Sequence, residues 1–356
     1  MGCRWDAGDE VHLIRANGMY NVARTAISGA AAGLAAVVLA VTGPRLADLA
    51  RTGTDVYDLL SRTDRNLFYA GLVVLAVAPA LAGAFWGAPL VARELEAGTH
   101  RLVWNQSITR TRWLATRLAV TTAGAVAVVG LLALAVTWWS DPLDGAVSSG
   151  GGGLPTRLTP VSFAMRGFVP VGYAVFAVVL GVTLGTVLRR PLAAMAATLA
   201  VFAAVQVVVP LWVRPHLAAP VQTDFSFTRA RVDSISLRSP TGPITITLTT
   251  GRRDDWILSN QTVDAAGNST GLPSWMTGCL PPPPGQDGGA TRSEPGEAPS
   301  VDSCLVRLGA EGYHQRIVYQ PADRFWTLQW RETALFLALA GLLTASCFWW
   351  TRSRLS

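Results

Sequence analysis

The chain has 356 residues, half of them hydrophobic, and a formal net charge of +6 at pH 7. The apolar residues are gathered into blocks of membrane-spanning length, which excludes an ordinary soluble core with helical or strand periodicity. All 29 basic residues are arginine. A P-loop ATPase and lysine Schiff-base chemistry are therefore excluded, because each needs a lysine.

Other enzymatic sites find little support in the sequence. The four histidines are far apart, and the motifs CxxC and HExxH are absent. Basic residues are not clustered with aromatic ones, as they are on a nucleic-acid-binding surface. We therefore predict no catalytic residue, metal site or cofactor site in this chain, and no nucleic-acid partner.

Six uncharged runs each reach the roughly 20 residues needed to cross a hydrocarbon core. They are Thr25 to Pro44, Phe68 to Gly87, Leu118 to Trp139, Phe168 to Leu188, Pro191 to Val213, and Thr333 to Trp350. The sequence thus predicts an all-α membrane protein with six transmembrane helices. Residues 1–24 form an N-terminal segment, residues 25–213 hold the first five helices, and residues 333–350 form the sixth, followed by a tail at 351–356.

The distribution of arginine predicts the orientation in the cell membrane. With both termini cytoplasmic, twelve arginines lie in the inner segments and six in the two short outer loops. Cationic residues in short loops are retained on the cytoplasmic side. We therefore expect cytoplasmic termini, a cytoplasmic loop at 88–117 and an extracellular domain at 214–332, with the basic residues contacting membrane lipid.

The loop from Leu90 to Leu118 carries seven ionised side chains between two long uncharged runs. Arg93 with Glu96, and Glu96 with His100, have the i,i+3 and i,i+4 spacings of a helix. Two interpretations fit this pattern: a helix that docks on a partner, and an ordinary solvated loop held inside by its arginines.

A resemblance to a known family favours docking. The run from Val91 to Thr99, followed by Leu102 and by Ser107 to Arg110, resembles the segment after the second span of ABC-2 type permeases, the membrane subunits of ABC exporters. The six spans, cytoplasmic termini and large outer segment before the last span extend the resemblance over most of the chain. The outer segment is longer and more polar than in the simplest members.

The resemblance implies that this loop forms a coupling helix in a groove of a separately encoded ABC ATPase, which binds the ATP. It also implies a second permease, as a homodimer or a paired permease, because one six-span unit supplies half of a translocation path. The expected coupling residues are Arg93, Glu94, Glu96, Gly98, Thr99, Leu102 and Arg110.

The outer segment contains signals for β-structure and for a covalent link. Asp233 to Leu237 and Ile244 to Leu248 alternate apolar and polar residues around a turn, which predicts a hairpin, and Gly312 to Gln320 resembles another strand. The Pro-, Gly- and Ser-rich stretch at 281–303 predicts a flexible loop. Cys279 and Cys304 bracket it, either as a disulfide or as two free thiols.

Two further patterns concern the helices. Gly29 with Gly33, and Gly181 with Gly185, form GxxxG pairs, which permit close helix packing but also arise by chance in a sequence this rich in glycine. Pro321 to Trp330 is expected to begin a helix that continues into the sixth span.

The sequence predicts a permease subunit that moves an unidentified substrate outward by alternating access. The alternative is a membrane-anchored sensor or interaction protein whose extracellular domain binds a ligand. A membrane enzyme is a third and weaker candidate.

Overall fold

The computed structural model describes residues 33, 39–48, 51, 60–96, 110–148, 155–237, 244–279 and 300–354. Most of the predicted first span lies outside these residues, although residues 39–48 are helical. The chain divides into two units, one of residues 1–147, 151–214 and 326–356, and the other of residues 148–150 and 215–325.

The first unit is built from helices. They are α1 (Arg62–Leu81), α2 (Pro89–Glu96), α3 (Arg110–Ser148), α4 (Pro160–Ala164), α5 (Val169–Leu188), α6 (Pro191–Val208) and α8 (Phe325–Arg354). Within the described residues, five stretches are long and apolar enough to span a membrane: Arg62–Glu94, Thr111–Gly145, Val169–Leu188, Pro191–His216 and Ala322–Ser353. Each covers one of the last five predicted spans to within one residue, so apolar helices of membrane-spanning length are confirmed for those five.

Two of these stretches contain a widened π-helical turn. α1 passes into π-helix at Ala82–Gly87, where the Ala88 N–H donates to the Gly83 carbonyl at 2.9 Å. α6 passes into π-helix at Val209–Val213, a turn that contains Pro210. Such turns occur in helices mostly as single insertions, frequently at functional sites.

α5 is the central helix of the first unit, and most of its residues are buried on all sides. Its apolar sequence has almost no polar face, as expected for a helix surrounded by other helices. The other long helices bury one face and expose apolar side chains such as Val73, Leu131 and Leu342 on the other. Those exposed faces are suited to lipid or to another membrane subunit.

The second unit holds the β-structure. A three-stranded antiparallel sheet has the order β1 (Val221–Phe225), β5 (His314–Gln320), β4 (Trp256–Val263). The predicted hairpin forms an antiparallel pair, β2 (Val232–Leu237) with β3 (Ile244–Leu248), in which Ile235 faces Ile246. The prediction of β-structure in this segment is confirmed, but β1 and β4 were not predicted.

A disulfide and a helix complete this unit. Cys279 and Cys304 are joined in the structure, and both lie in a core that includes Met276, Leu305 and Ile317. α7 (Val301–Ala310) begins after Ser300, whose hydroxyl accepts from the Ser303 N–H at 3.2 Å. The last three residues of the predicted flexible loop at 281–303 are therefore helical, because Ser300 caps that helix; residues 281–299 lie outside the described part.

The boundaries between the units differ slightly from the predicted ones. The second unit ends at Phe325 rather than at residue 332, and α8 begins at Phe325 rather than at residue 333. The expectation of a helix that starts near Pro321 and continues into the last span is confirmed, with a short 3-10 turn at Ala322–Arg324 before it.

Candidate functional site

The structure describes the two ends of the predicted coupling segment, which we call its stems: α2 and the beginning of α3. α2 continues directly from the widened end of α1, and α3 begins at Arg110. Gly98, Thr99 and Leu102 lie outside the described residues, as does the stretch 97–109 between the stems. Of the predicted coupling residues, Arg93 and Glu96 are exposed and Glu94 is partly buried.

An ion pair links the two stems. A guanidinium nitrogen of Arg117 lies 3.7 Å from a carboxylate oxygen of Glu94, whose side chain is 25% exposed. The Arg117 guanidinium also lies over the Trp113 ring, 5.6 Å from its centre. Within the described part of the segment, the carboxylate of Glu94 is thus paired internally, whereas Glu96 is exposed.

Apolar side chains fasten both stems to the central helix. Val91 of α2, Leu114 of α3, Val178 of α5 and Cys347 of α8 belong to one buried cluster. A force applied between the stems therefore acts directly on α5 and on the end of α8. This packing is what a coupling segment needs if it is to move the spans.

Glycines bring α5 against the widened turn of α1. A Cβ added at Gly83 or Gly87 would lie 2.5 Å from a carbonyl oxygen of α5. One added at Gly181 would overlap the carbonyl oxygen of Gly83, and one at Gly185 would overlap that of Ala88. The Gly181 and Gly185 pair thus makes the close approach that its spacing suggested, against a second glycine pair in α1 that sequence reasoning missed.

At the opposite end of the helices, a buried ionic cluster joins α5, the end of the α6 span and α8. Arg214 and Glu332 are both completely buried, and the guanidinium donates to the carboxylate from Nε at 2.7 Å and from Nη2 at 2.9 Å. The Tyr173 hydroxyl donates to the same carboxylate at 2.9 Å. Nη1 of Arg214 donates to the Pro160 carbonyl at 2.6 Å, and its guanidinium lies 4.5 Å from the centre of the Phe163 ring.

This geometry satisfies most of the polar atoms that burial removes from water. A buried pair of charges is stable only when its geometry is good and its remaining hydrogen-bonding groups are occupied. Ionisable residues buried at membrane depth are rare and usually have a functional role. Arg214 and Glu332 therefore form the strongest candidate for a functional group inside this helical unit.

Gln329, one turn before Glu332, holds the beginning of α5. Its carbonyl oxygen accepts from the N–H groups of Phe168 at 3.0 Å and Val169 at 3.1 Å, and its amide donates to the Phe163 carbonyl at 3.0 Å. The first N–H groups of a helix have no partner within the helix. The side chain of Gln329 satisfies two of them from α8, so the two helices begin in a fixed relation.

A second buried arginine, Arg166, lies in the short connection between α4 and α5. Arg166 is 2% exposed and pairs with Asp144 near the end of α3. Its guanidinium lies 5.4 Å from the centre of the Phe68 ring in α1. The pair joins α3 to the short connection before α5, so this end of the unit is held by two separate arginine pairs.

Sequence reasoning treated Arg214, Glu332 and Arg166 as charges in outer segments, because each lies just beyond an uncharged run. The one available signal was that Arg214 and Glu332 have opposite charge and border consecutive predicted spans. That observation does not by itself distinguish a buried pair from two solvated residues.

Comparison with known proteins adds one finding. A family model described as ABC-2 membrane transporter related matches residues 29–214, just over half of the chain. The match covers most of the predicted first span, the next four spans, the coupling segment and Arg214, and it ends directly before residues 215–325, the main part of the second structural unit. No curated protein and no solved structure matches the chain significantly.

Proposed function

Because the chain belongs to the ABC-2 membrane transporter related family, we propose that it is the permease subunit of an ABC exporter that moves its substrate outward. The family implies association with a separate ABC ATPase, in agreement with the missing P-loop lysine. The observation that carries the proposal is the family match over the coupling segment and the spans around it. Packing of both stems of that segment against α5 supports it further.

The proposed mechanism follows the contacts through the helices. Closure of the ATPase dimer around ATP would press on the segment between α2 and α3. Val91 of α2 and Leu114 of α3 lie in one buried cluster with Val178 of α5, and Glu94 and Arg117 form an ion pair between the stems, so the stems would move together against α5. α5 carries Gly181 at its contact with α1 and Tyr173 at the ionic cluster. A shift of α5 would therefore reach the opposite end of the spans.

A second permease would complete the translocation path. α5 is buried within one chain, whereas α1, α3, α6 and α8 each leave apolar side chains exposed. A homodimer or a paired permease would cover part of these faces, and lipid would cover the rest.

The coupling carboxylates provide the direct test of function. Replacing both Glu94 and Glu96 with Ala should leave expression and membrane insertion near normal, because partly exposed charges contribute little to stability. Binding of the ATPase should weaken by about tenfold, which corresponds to a loss of about 1.4 kcal/mol. Association is measured by co-purification with the neighbouring ATPase, and export-linked ATP hydrolysis is measured in proteoliposomes.

A matched control removes two carboxylates elsewhere in the same unit, Asp48 and Asp141, both exposed. The single variant E96A should account for most of the effect, because Glu94 is occupied by Arg117. Full ATPase binding and full ATP hydrolysis in E94A/E96A would show that these carboxylates are not the contact, and would favour the sensor alternative.

The proposed orientation is tested by labelling single cysteines with an impermeant maleimide. Ser107→Cys should label only after permeabilisation, whereas Val306→Cys, on an exposed position of α7, should label in intact cells. The background replaces Cys3 and Cys347 but keeps the Cys279–Cys304 disulfide, since a disulfide does not react with maleimide and its removal would disturb the second unit. Equal labelling of the two positions in intact cells would contradict the orientation.

A further inference from the structure

The two ends of the contact between α5 and α8 differ in the kind of interaction that holds them. Where α5 begins, the Gln329 side chain of α8 makes three hydrogen bonds, two of them to the first N–H groups of α5. Further along, the Tyr173 hydroxyl of α5 donates to Glu332 of α8 at 2.9 Å. Towards the other end, the Thr186 hydroxyl lies 3.7 Å from the Cys347 sulfur, which is a weak hydrogen-bonding group. Strong directional bonds therefore hold the beginning of this contact.

The other end of the contact lies next to the coupling segment and is held by apolar packing. Val178 and Val182 of α5 and Ala340 of α8 belong to one buried cluster, which also contains Val91 and Leu114 of the two stems. Apolar contacts are non-directional, so packed helices can slide on each other by small amounts without losing a specific bond. A push from the stems therefore acts where the contact between α5 and α8 can shift.

The end of the α6 span is tied to the hydrogen-bonded end as well. Arg214 donates two hydrogen bonds to Glu332 and a third to the Pro160 carbonyl of α4. Both charged side chains are completely buried, and breaking a buried ion pair is strongly destabilising. The ends of α5, α8 and the α6 span that meet here should therefore stay together while the rest of the helices move.

We propose that this hydrogen-bonded end is the fixed pivot of the transport motion, and that Tyr173 and Gln329 are the positioning residues that keep α5 on it. The inference rests on the proposed function, because the push comes from the ATPase. That push would turn α5 and α8 together about the Arg214–Glu332 pair, so that α8 moves relative to α6 at the coupling end. The shift of α5 reaches the pivot as a rotation that leaves its hydrogen bonds intact.

The test measures distances between α6 and α8 by double electron–electron resonance, in the complex with the ATPase, before and after trapping with ATP and vanadate. Maleimide spin labels are attached at exposed positions, L192C/A345C near the coupling end and L211C/A334C near the pivot. Labelled chain is diluted with unlabelled chain, so that distances within one chain are measured. The distance near the coupling end should change by more than about 2 Å, and the distance near the pivot by less than about 1 Å, given the size of helix shifts in switching proteins.

The double variant Y173F/Q329M tests the positioning residues. It removes the hydroxyl and the amide, but it keeps the edge-on contact of the Tyr173 ring with Phe336 and the approximate length of the Gln329 side chain. Because α5 is then released from the pivot, the ATP-driven distance change at the coupling end should be largely lost while the ATPase still co-purifies. The single variant Y173F is measured as well and should lose part of the change.

The control variant Y69F/Q206M makes the same chemical changes elsewhere in the spans. Tyr69 is an exposed residue of α1, and Gln206 of α6 donates to the Ala76 carbonyl of α1 at 2.8 Å. This control also removes a hydrogen bond between helices, but it should keep the distance change of the parent protein.

Three results would overturn the pivot while the proposed function stands. The first is a change near the pivot as large as the change near the coupling end. The second is no change at either end although the bound ATPase hydrolyses ATP. The third is equal loss in both double variants, which would mean that Tyr173 and Gln329 act like any other bond between helices. A chain that binds no ATPase would instead contradict the proposed function, and the pivot would fall with it.

Discussion

Replacing Glu332 with Ala should destabilise the helical unit by about 3–5 kcal/mol, because it leaves the Arg214 guanidinium buried without a counter-charge. Both side chains are fully buried in the parent protein, so water cannot compensate for the lost carboxylate. The Tyr173 hydroxyl would also lose its acceptor. The effect is measured by heating the detergent-purified protein and recording the loss of its monodisperse peak in size-exclusion chromatography.

Two comparisons make this result specific to the buried charge. Removing both partners, as R214M/E332L, should recover much of the stability lost in E332A, since apolar replacement of a whole buried pair is often nearly neutral. D48A breaks the exposed pair of Asp48 with Arg51 and should change stability by less than about 1 kcal/mol. An E332A variant as stable as D48A would show that the pair does not hold these helices together.

The second large effect is expected from Gly181. A Cβ at this position would overlap the carbonyl oxygen of Gly83 and lie 2.8 Å from the backbone nitrogen of Ala88. Backbone atoms cannot turn aside as a flexible side chain can, so α5 must move away from α1. We expect G181A to lower the free energy of unfolding by about 1–3 kcal/mol, the usual range for overpacking a well-packed core. G181L should yield little folded protein.

Gly341 supplies the matched control, because it lies in the α8 span and an added Cβ there meets nothing within 4 Å. G341A should therefore behave like the parent protein in folded yield and in thermal unfolding. The close packing of α5 on α1 would be contradicted if G181A and G341A had the same unfolding temperature. Measurement of G83A in parallel tests the same contact from the other helix.

The membrane spans could be predicted from the sequence, because each charged side chain by itself makes transfer of its segment into hydrocarbon unfavourable. α5 ends at Leu188, directly before Arg189 and Arg190, and its predicted and observed limits agree within one residue. A charged side chain cannot remain unpaired in hydrocarbon, so a run of uncharged residues is limited by its flanking charges. The same reasoning does not define the end of α3, which covers the predicted span and continues as a helix past Asp141 and Asp144 to Ser148, because a helix does not have to stop where the membrane does.

Contacts between helices were much less predictable, because they depend on which residues far apart in the sequence come together. Gly181 and Gly185 indicated a close approach from their spacing alone, yet nothing in that spacing identified Gly83 and Gly87 as the other side. Trp139 illustrates the same limit. A tryptophan at the end of a span is typical of the membrane interface, but Trp139 is 1% exposed and donates to the Thr42 hydroxyl at 2.9 Å.

The strands of the second unit also include some that local sequence predicts and some that it does not. β2 and β3 follow each other closely and alternate regularly, so the hairpin could be predicted from local sequence. β1 and β4 pair with β5 across long stretches of chain, and the register of β4 is interrupted between Ile257 and Ser259. Local alternation carries little information about such partners.

The Arg214–Glu332 pair also has a consequence for how this protein could have diversified. Arg214 is the last residue before the second unit, and Glu332 follows that unit by seven residues, so a salt bridge closes the chain at the base of the inserted segment. An insertion whose two ends leave from one point can be lengthened, shortened or exchanged without pulling its flanking helices apart. A change in the length of that segment should therefore leave the helices that carry Arg214 and Glu332 in place.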